Sequence, residues 1–172
     1  MKNIYLLGFM GCGKSTVAAE LAKLLPLPVM EMDEALVRAF GCSIQEVFDT
    51  KGEQWFRDQE HLLLENVAKS GGYIVSCGGG VPIREDNREL LKTTGTCVVL
   101  TASPSTVAKR TNGGKGRPLL LGKTEEEIEA LMERRRDLYE AASELSVATD
   151  DKSPSEIASE IVRFLAVNDR LS

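Results

Sequence analysis

The chain is short of the residues that build metal centres and disulfide frameworks. Among its 172 residues it has one histidine, one tryptophan and four cysteines. Cys12, Cys42, Cys77 and Cys97 form no Cys-x-x-Cys pair, and His61 alone cannot complete a zinc set with them. Unpaired thiols of this kind suit a reducing compartment, so a cytoplasmic location is expected. No apolar run approaches the roughly 20 residues that a membrane-spanning helix needs, and no secretion signal is expected ahead of the first strand. Excess positive charge is also missing. The net charge is −5, which argues against a broad nucleic-acid footprint. Acid is missing locally: between Leu90 and Thr124 there is no Asp or Glu, while Lys92, Lys109, Arg110, Lys115, Arg117 and Lys123 all fall there. A basic segment in an acidic chain fits a small anionic ligand, with a merely solvated loop as the alternative.

What remains is an ordinary globular composition, 42% hydrophobic and 27% charged, at a length that supports one well-buried core. A single domain over residues 1–172 is therefore expected. Apolar, strand-like runs recur at Ile4–Leu7, Val29–Met32, Tyr73–Cys77, Cys97–Leu100 and, more weakly, Leu145–Ala148. Helical patterns separate them. Ser43-x-x-Glu46, Thr124-x-x-Glu127 and Ser153-x-x-Glu156 read as capping boxes, and Pro104 and Pro154 each follow a serine at a first helical position. Glu53 to Lys69 reads as one long amphipathic helix. Alternating strand and helix predicts an α/β fold with a mostly parallel sheet covered on both faces. Ligands should then gather at the carboxyl ends of the strands.

The first such end carries Gly8-Phe9-Met10-Gly11-Cys12-Gly13-Lys14-Ser15, a complete phosphate-binding loop between an apolar strand and a helical pattern. Its glycines let successive backbone N–H groups converge on phosphate oxygens. Lys14 brings a positive charge to the outer phosphates, and Ser15 offers a hydroxyl to Mg²⁺. The helix expected from Lys14 turns its positive end to the same place. A glycine turn between two core elements would not explain the Lys-Ser pair. A nucleoside triphosphate with Mg²⁺ is the expected ligand.

Four further segments offer chemistry. Strand alternation puts Glu31 and Asp33 on one side of the second strand, where one carboxylate could hold a Mg²⁺-bound water and the other an acceptor hydroxyl. The competing reading makes Asp33 a helix cap. Gly78-Gly79-Gly80 ends the third strand, either to admit a ligand to the backbone or to make a tight turn. Arg117 follows mobile glycines and precedes a proline, as a cation delivered by a closing lid would. In Arg134-Arg135-Arg136, three successive residues sweep about 300° of a helix, so at most two can face one ligand.

Taken together, these residues resemble the shikimate kinase family over almost the whole chain. The resemblance is carried by the phosphate loop through Thr16, Glu31-x-Asp33, Gly52-Glu53-x-x-Phe56-Arg57-x-x-Glu60, Gly78-Gly79-Gly80, Arg117-Pro118-Leu119-Leu120 and Arg135-x-x-Leu138-Tyr139. It implies a nucleoside-monophosphate-kinase-like, three-layer α/β/α fold with a five-stranded parallel sheet in the order 2-3-1-4-5. It implies ATP-dependent phosphorylation of the 3-hydroxyl of shikimate, in aromatic amino-acid biosynthesis. Carried over, Gly11, Cys12, Gly13, Lys14, Ser15 and Thr16 would cradle the phosphates, with Ser15 on Mg²⁺. Asp33 would hold the shikimate hydroxyls, and Arg57 and Arg135 its carboxylate, with Gly79 and Gly80 contributing backbone. Lys14, Asp33 and Arg117 would be the catalytic residues. Arg110, Lys152 and Pro154 would frame the adenine, within a substrate region of about 33–61 and a lid of about 112–122.

Glu31 stands where the family commonly has Asp, and its extra methylene would still let it reach a Mg²⁺-bound water. Two guanidiniums suit a small carboxylate, because each offers a planar fork of donors. Glu60, three residues after Arg57, would orient it. The chain is expected to act as a monomer without nucleic-acid or membrane partners. The alternatives are another small-molecule kinase, such as a gluconate kinase, or a nucleotide-dependent switch. The absence of an Asn-Lys-x-Asp guanine motif weighs against a regulatory GTPase.

Overall fold

The computed structural model describes residues 1–111 and 120–171. Five parallel strands form one sheet in the order β2-β3-β1-β4-β5. They are β1 (Asn3–Leu7), β2 (Val29–Glu31), β3 (Ile74–Ser76), β4 (Gly95–Thr101) and β5 (Leu145–Ala148). The helices between them are α1 (Lys14–Leu24), α2 (Met32–Phe40), α3 (Ile44–Lys51), α4 (Glu53–Ser70), α5 (Glu85–Thr94), α6 (Pro104–Thr111), α7 (Glu125–Ala142) and α8 (Pro154–Val167). A short 3₁₀ turn, Val81–Ile83, follows β3.

The central strand explains the layering. Every residue of β1 is buried, the pattern of a parallel strand covered on both faces. Its polar residue is accommodated by hydrogen bonds: Asn3 donates to the Tyr5 hydroxyl (2.9 Å) and the Val67 carbonyl (3.1 Å), and accepts from the Tyr73 amide (2.9 Å). The α1 helix buries Val17, Ala18 and Leu21 and packs beside α8, which buries Ile157, Ala158, Ile161 and Leu165. A smaller core lies under α2, α3 and α4, where Leu36, Val47 and Phe56 meet Phe40 and Phe48. This satellite core fixes the base of α4 beside the carboxyl ends of the strands.

All three expected capping boxes are closed in both directions, at Ser43/Glu46, Thr124/Glu127 and Ser153/Glu156. The second strand departs from expectation. It ends at Glu31, and α2 begins at Met32 with Asp33 in its first turn, so Glu31 and Asp33 do not share a face by strand alternation. Met32 is fully buried and fixes the helix start against the main core. Nor does Asp33 cap the helix, since Glu31 holds that position without a side-chain cap bond.

Candidate active site

The carboxyl ends of the strands surround a cleft of about 550 Å³, lined by Gly11 to Val17 from the phosphate loop and α1, and by Glu31, Asp33, Ser76, Gly79, Arg110, Thr149, Lys152 and Pro154. Gly13 caps α1 with φ 89°, a left-handed conformation that favours glycine, so the chain can turn its amides inward before the helix begins. The Lys14 ammonium curls back to donate to the carbonyls of Gly8 (2.7 Å) and Phe9 (3.1 Å). The Cys12 thiol is buried and its pKa is raised by desolvation, against the pull of Lys14 and Arg110; it is a packed group rather than a nucleophile.

Beside the loop lies an all-oxygen group. The Ser15 hydroxyl donates to Glu31 (2.9 Å) and lies 3.5 Å from the Ser76 hydroxyl. Such a set fits a hard cation that takes its remaining ligands from water and phosphate. Among the described residues no cluster of three or more His, Cys, Asp or Glu side chains could hold a metal alone.

At the end of the cleft formed by α6, β5 and α8, Arg110 donates to the Gly11 carbonyl (3.1 Å) and the Thr149 hydroxyl (3.1 Å). It thereby ties α6 to both the phosphate loop and the end of β5. Asp150 anchors the same helix by accepting from the Ser103 amide (2.9 Å) and the Thr106 hydroxyl (2.7 Å). Those bonds hold its pKa below the usual carboxylate range. Lys152 pairs with Glu160 (2.6 Å), and Pro154 opens α8.

The opposite end is built on the triple glycine. Gly78, Gly79 and Gly80 have no left-handed φ, so at Gly78 and Gly80 it is space rather than backbone conformation that disfavours a side chain, whereas a Cβ on Gly79 would make only ordinary contacts with Met10 and Gly8. A Cβ on Gly80 would strike the Arg57 guanidinium, and one on Gly78 would meet Glu60 and Asp33. Arg57 in turn donates to Glu60 (2.9 Å), a carboxylate only 1% exposed. Burial pushes the Glu60 pKa up, with Asp33 adding to the rise and Arg57 and Arg135 opposing it.

Arg135 is 6% exposed and its guanidinium lies over the Phe9 ring (5.7 Å). One of its terminal nitrogens, Nη1, has no hydrogen-bond partner among the described residues. Arg136 points elsewhere, with a side chain 60% exposed and paired to Glu133 (2.6 Å). Tyr139 donates from its hydroxyl to the Gly79 carbonyl (2.5 Å), which braces the glycine loop from α7. Arg117, and most of the expected lid, lie outside the described residues; the lid's last part, Leu120 to Gly122, forms a turn with Leu120 buried.

The comparisons with known proteins bear on this geometry. The family model described as shikimate kinase matches residues 10–166. The chain belongs to the shikimate kinase family. A shikimate kinase from Limosilactobacillus fermentum is 38% identical over 167 residues, covering 96% of each chain. The solved shikimate kinase from Acinetobacter baumannii, in complex with shikimate, superposes with a TM-score of 0.93 at 31% identity, covering 98% of this chain and 94% of that one. A gluconokinase from Sinorhizobium meliloti, 20% identical with a TM-score of 0.60 over 96% of this chain and 92% of its own, shares the fold alone.

The arrangement divides into the phosphate-binding loop with the Ser15–Glu31–Ser76 oxygen group, the Arg110–Thr149–Lys152 end of the cleft, and an acidic-basic corner at Asp33, Arg57, Glu60 and Arg135. Ser76 and Thr149 are additions that sequence reasoning missed. Ser76 is one polar residue in a three-residue strand, and Thr149 follows the weakest strand, so neither stands out by spacing.

Proposed function

We propose that this chain transfers the terminal phosphoryl group of ATP to the 3-hydroxyl of shikimate, giving shikimate 3-phosphate and ADP. The observation that carries the reading is the corner where Asp33, Arg57, Glu60 and Arg135 meet the glycine loop, with one buried guanidinium nitrogen unpartnered among the described residues. A small hydroxylated carboxylate suits it: carboxylate to Arg57 and Arg135, hydroxyls to Asp33. A neutral acceptor could offer Arg57 and Arg135 only ordinary hydrogen bonds, about half as strong as the charge-assisted ones a carboxylate makes.

In this reading the backbone amides from Gly11 to Thr16 hold the phosphates, helped by Lys14 and the amino end of α1. Arg110, Lys152 and Pro154 border the adenine. Ser15 would hold Mg²⁺, with Glu31 reaching a water on it; the ion, when bound, neutralises charge on the phosphates. Asp33 accepts the hydrogen bond of the 3-hydroxyl and takes its proton as the new P–O bond forms and the bond to ADP breaks. Arg117 supplies a cation to the transferring group from the lid. Net charge −5 and four free cysteines support a cytoplasmic monomer without nucleic-acid or membrane partners. No described helix is long and apolar enough to cross a membrane.

A coupled assay of ADP release with shikimate, gluconate and nucleoside monophosphates tests the reading. Shikimate should stimulate release far more than the others. Stimulation by gluconate alone would overturn it, and tight ATP binding with no active acceptor would favour a switch module.

A further inference from the structure

The chain's single histidine lies outside the cleft, yet it is wired to the loop that the acceptor must touch. His61 follows Glu60 on α4, and its Nδ1 lies 2.6 Å from the Asn87 side-chain oxygen on α5. Asn87 is fully buried and donates its amide to the Val81 carbonyl (2.8 Å). Val81 comes directly after Gly80, and its amide donates to the Gly78 carbonyl (3.1 Å). The orientation of the amide is fixed by chemistry. A carbonyl can only accept, so the Asn87 NH₂ must face Val81 and its oxygen must face the histidine. His61 Nδ1 must therefore carry a proton. Its Nε2 is left toward Glu65 (3.8 Å) and Asp86 (3.7 Å), outside hydrogen-bond range.

The consequence runs to Arg57. The Gly80 backbone is pressed against that guanidinium, closely enough to exclude a Cβ. A shift of Val81 carries Gly80 with it and releases the wall that, with Glu60 (2.9 Å) and the more distant Glu53 (3.4 Å), fixes the Arg57 fork. The loop is braced from one side by Tyr139 on Gly79 and from the other by Asn87 on Val81. The turn is held further on by Arg88, which donates to the carbonyls of Pro82 and Ile83 (2.8 Å each). The Val81 carbonyl itself has the Asn87 amide as its side-chain partner, and Asn87 is aimed by His61.

We infer that His61 and Asn87 are positioning residues for the acceptor, acting through the Val81 carbonyl on the glycine loop and so on Arg57. Neither touches the substrate. The inference rests on the shikimate reading above and names what sets the geometry of that site. Nucleotide binding should change much less, because the phosphate loop is continuous with β1 and α1 and meets the glycine loop where Gly79 packs beside Met10 and Gly8.

The test compares His61→Leu, His61→Asn and Asn87→Ala with the wild type, measuring KM for shikimate, KM for ATP, kcat and the unfolding midpoint. A misplacement of about 1 Å can cost up to 100-fold, so losing one link should raise the shikimate KM by roughly tenfold while leaving the ATP KM within about twofold. His61→Asn places an amide donor near the site of Nδ1 and should recover most of the loss. His61 is partly exposed, so its variants fold even if Asn87→Ala does not. Equal rises in both KM values, or a lowered midpoint with an unchanged shikimate KM, would make the relay a packing feature and overturn the inference. A wild-type protein inactive on shikimate but active on another acceptor would instead overturn the activity reading, and the inference with it.

Discussion

Truncating Arg135 should weaken the acceptor site far more than it weakens the fold. Arg135 is 6% exposed and its Nη1 is buried without a partner among the described residues, so the fold carries a desolvation cost there. An unsatisfied buried donor costs about 1–3 kcal/mol. Against that stands the contact of the guanidinium with the Phe9 ring, about 0.5–2 kcal/mol. These nearly cancel, so Arg135→Ala should change unfolding by about 1 kcal/mol in either direction, or ~2–4 °C in Tm for a chain of this size. Binding is another matter. A charge-assisted hydrogen bond is worth about 1.5–3 kcal/mol, a loss of roughly 10- to 150-fold in shikimate affinity at about 1.4 kcal/mol per decade. Arg135→Lys should restore only part of it, since an ammonium lacks the planar fork. Arg136→Ala is the control, its side chain being exposed and paired with Glu133 on its own helix. Titration calorimetry with shikimate, beside thermal unfolding without ligand, measures both quantities. Loss of affinity in Arg136→Ala, or a large fall in Tm with intact affinity in Arg135→Ala, would refute the reasoning.

Three other outcomes are expected. The Glu60 pKa is raised in the fold, chiefly by burial, so its contribution to stability is full below the ordinary carboxylate pKa and is lost as pH rises through the folded value; the stability of wild type relative to Glu60→Gln should fall over that window, and a pH-independent difference would contradict it. Gly80→Ala should displace the Arg57 guanidinium and raise the shikimate KM while sparing the ATP KM; unchanged kinetics would show that the guanidinium is not pinned there. Ser15→Ala and Glu31→Gln should each weaken Mg²⁺-dependent nucleotide binding, Ser15→Ala more, as read by ADP titration with and without the ion; equal affinities in both conditions would remove these oxygens from the metal position.

Local rules made the framework legible. Each capping box binds its own backbone within three residues, and each strand announces itself by an apolar run, so the serines, threonine and prolines at helix starts could be read directly. The α5 helix escaped for the opposite reason. It buries only Asn87 and Leu91, too little to set an apolar period, and Arg84 provides no side-chain cap bond. Its position comes from tertiary contacts. The end of β2 was misjudged because Met32 is apolar and buried in either conformation, so hydrophobicity alone could not tell the last strand residue from the first helical one. Arg135 was separable from its neighbours only by helical rotation and by the family pattern, since the three arginines are chemically identical.

The acceptor corner was the part least available to local reasoning, and the reason bears on function. A chain selected only for stability pairs its buried polar atoms. Among the described residues the buried side-chain atoms left unpaired are Glu60 Oε2 and Arg135 Nη1, from α4 and α7, and they fall in one corner beside Asp33 and Arg57. Two defects scattered through the molecule would be ordinary packing faults. These two, a buried nitrogen on α7 and a buried carboxylate oxygen on α4, lie within electrostatic reach of one another and of Asp33 and Arg57. An acceptor bearing a carboxylate and hydroxyls offers a partner to each, whereas a hydrocarbon offers none. The fold tolerates the mismatch because one central, fully buried strand and a large apolar core supply its stability elsewhere. The grouping of Glu60 and Arg135 with Asp33 and Arg57 is what the activity proposed above requires, and loss of shikimate affinity in Arg135→Ala with an unchanged fold is the result that would separate it from a structural ion-pair network.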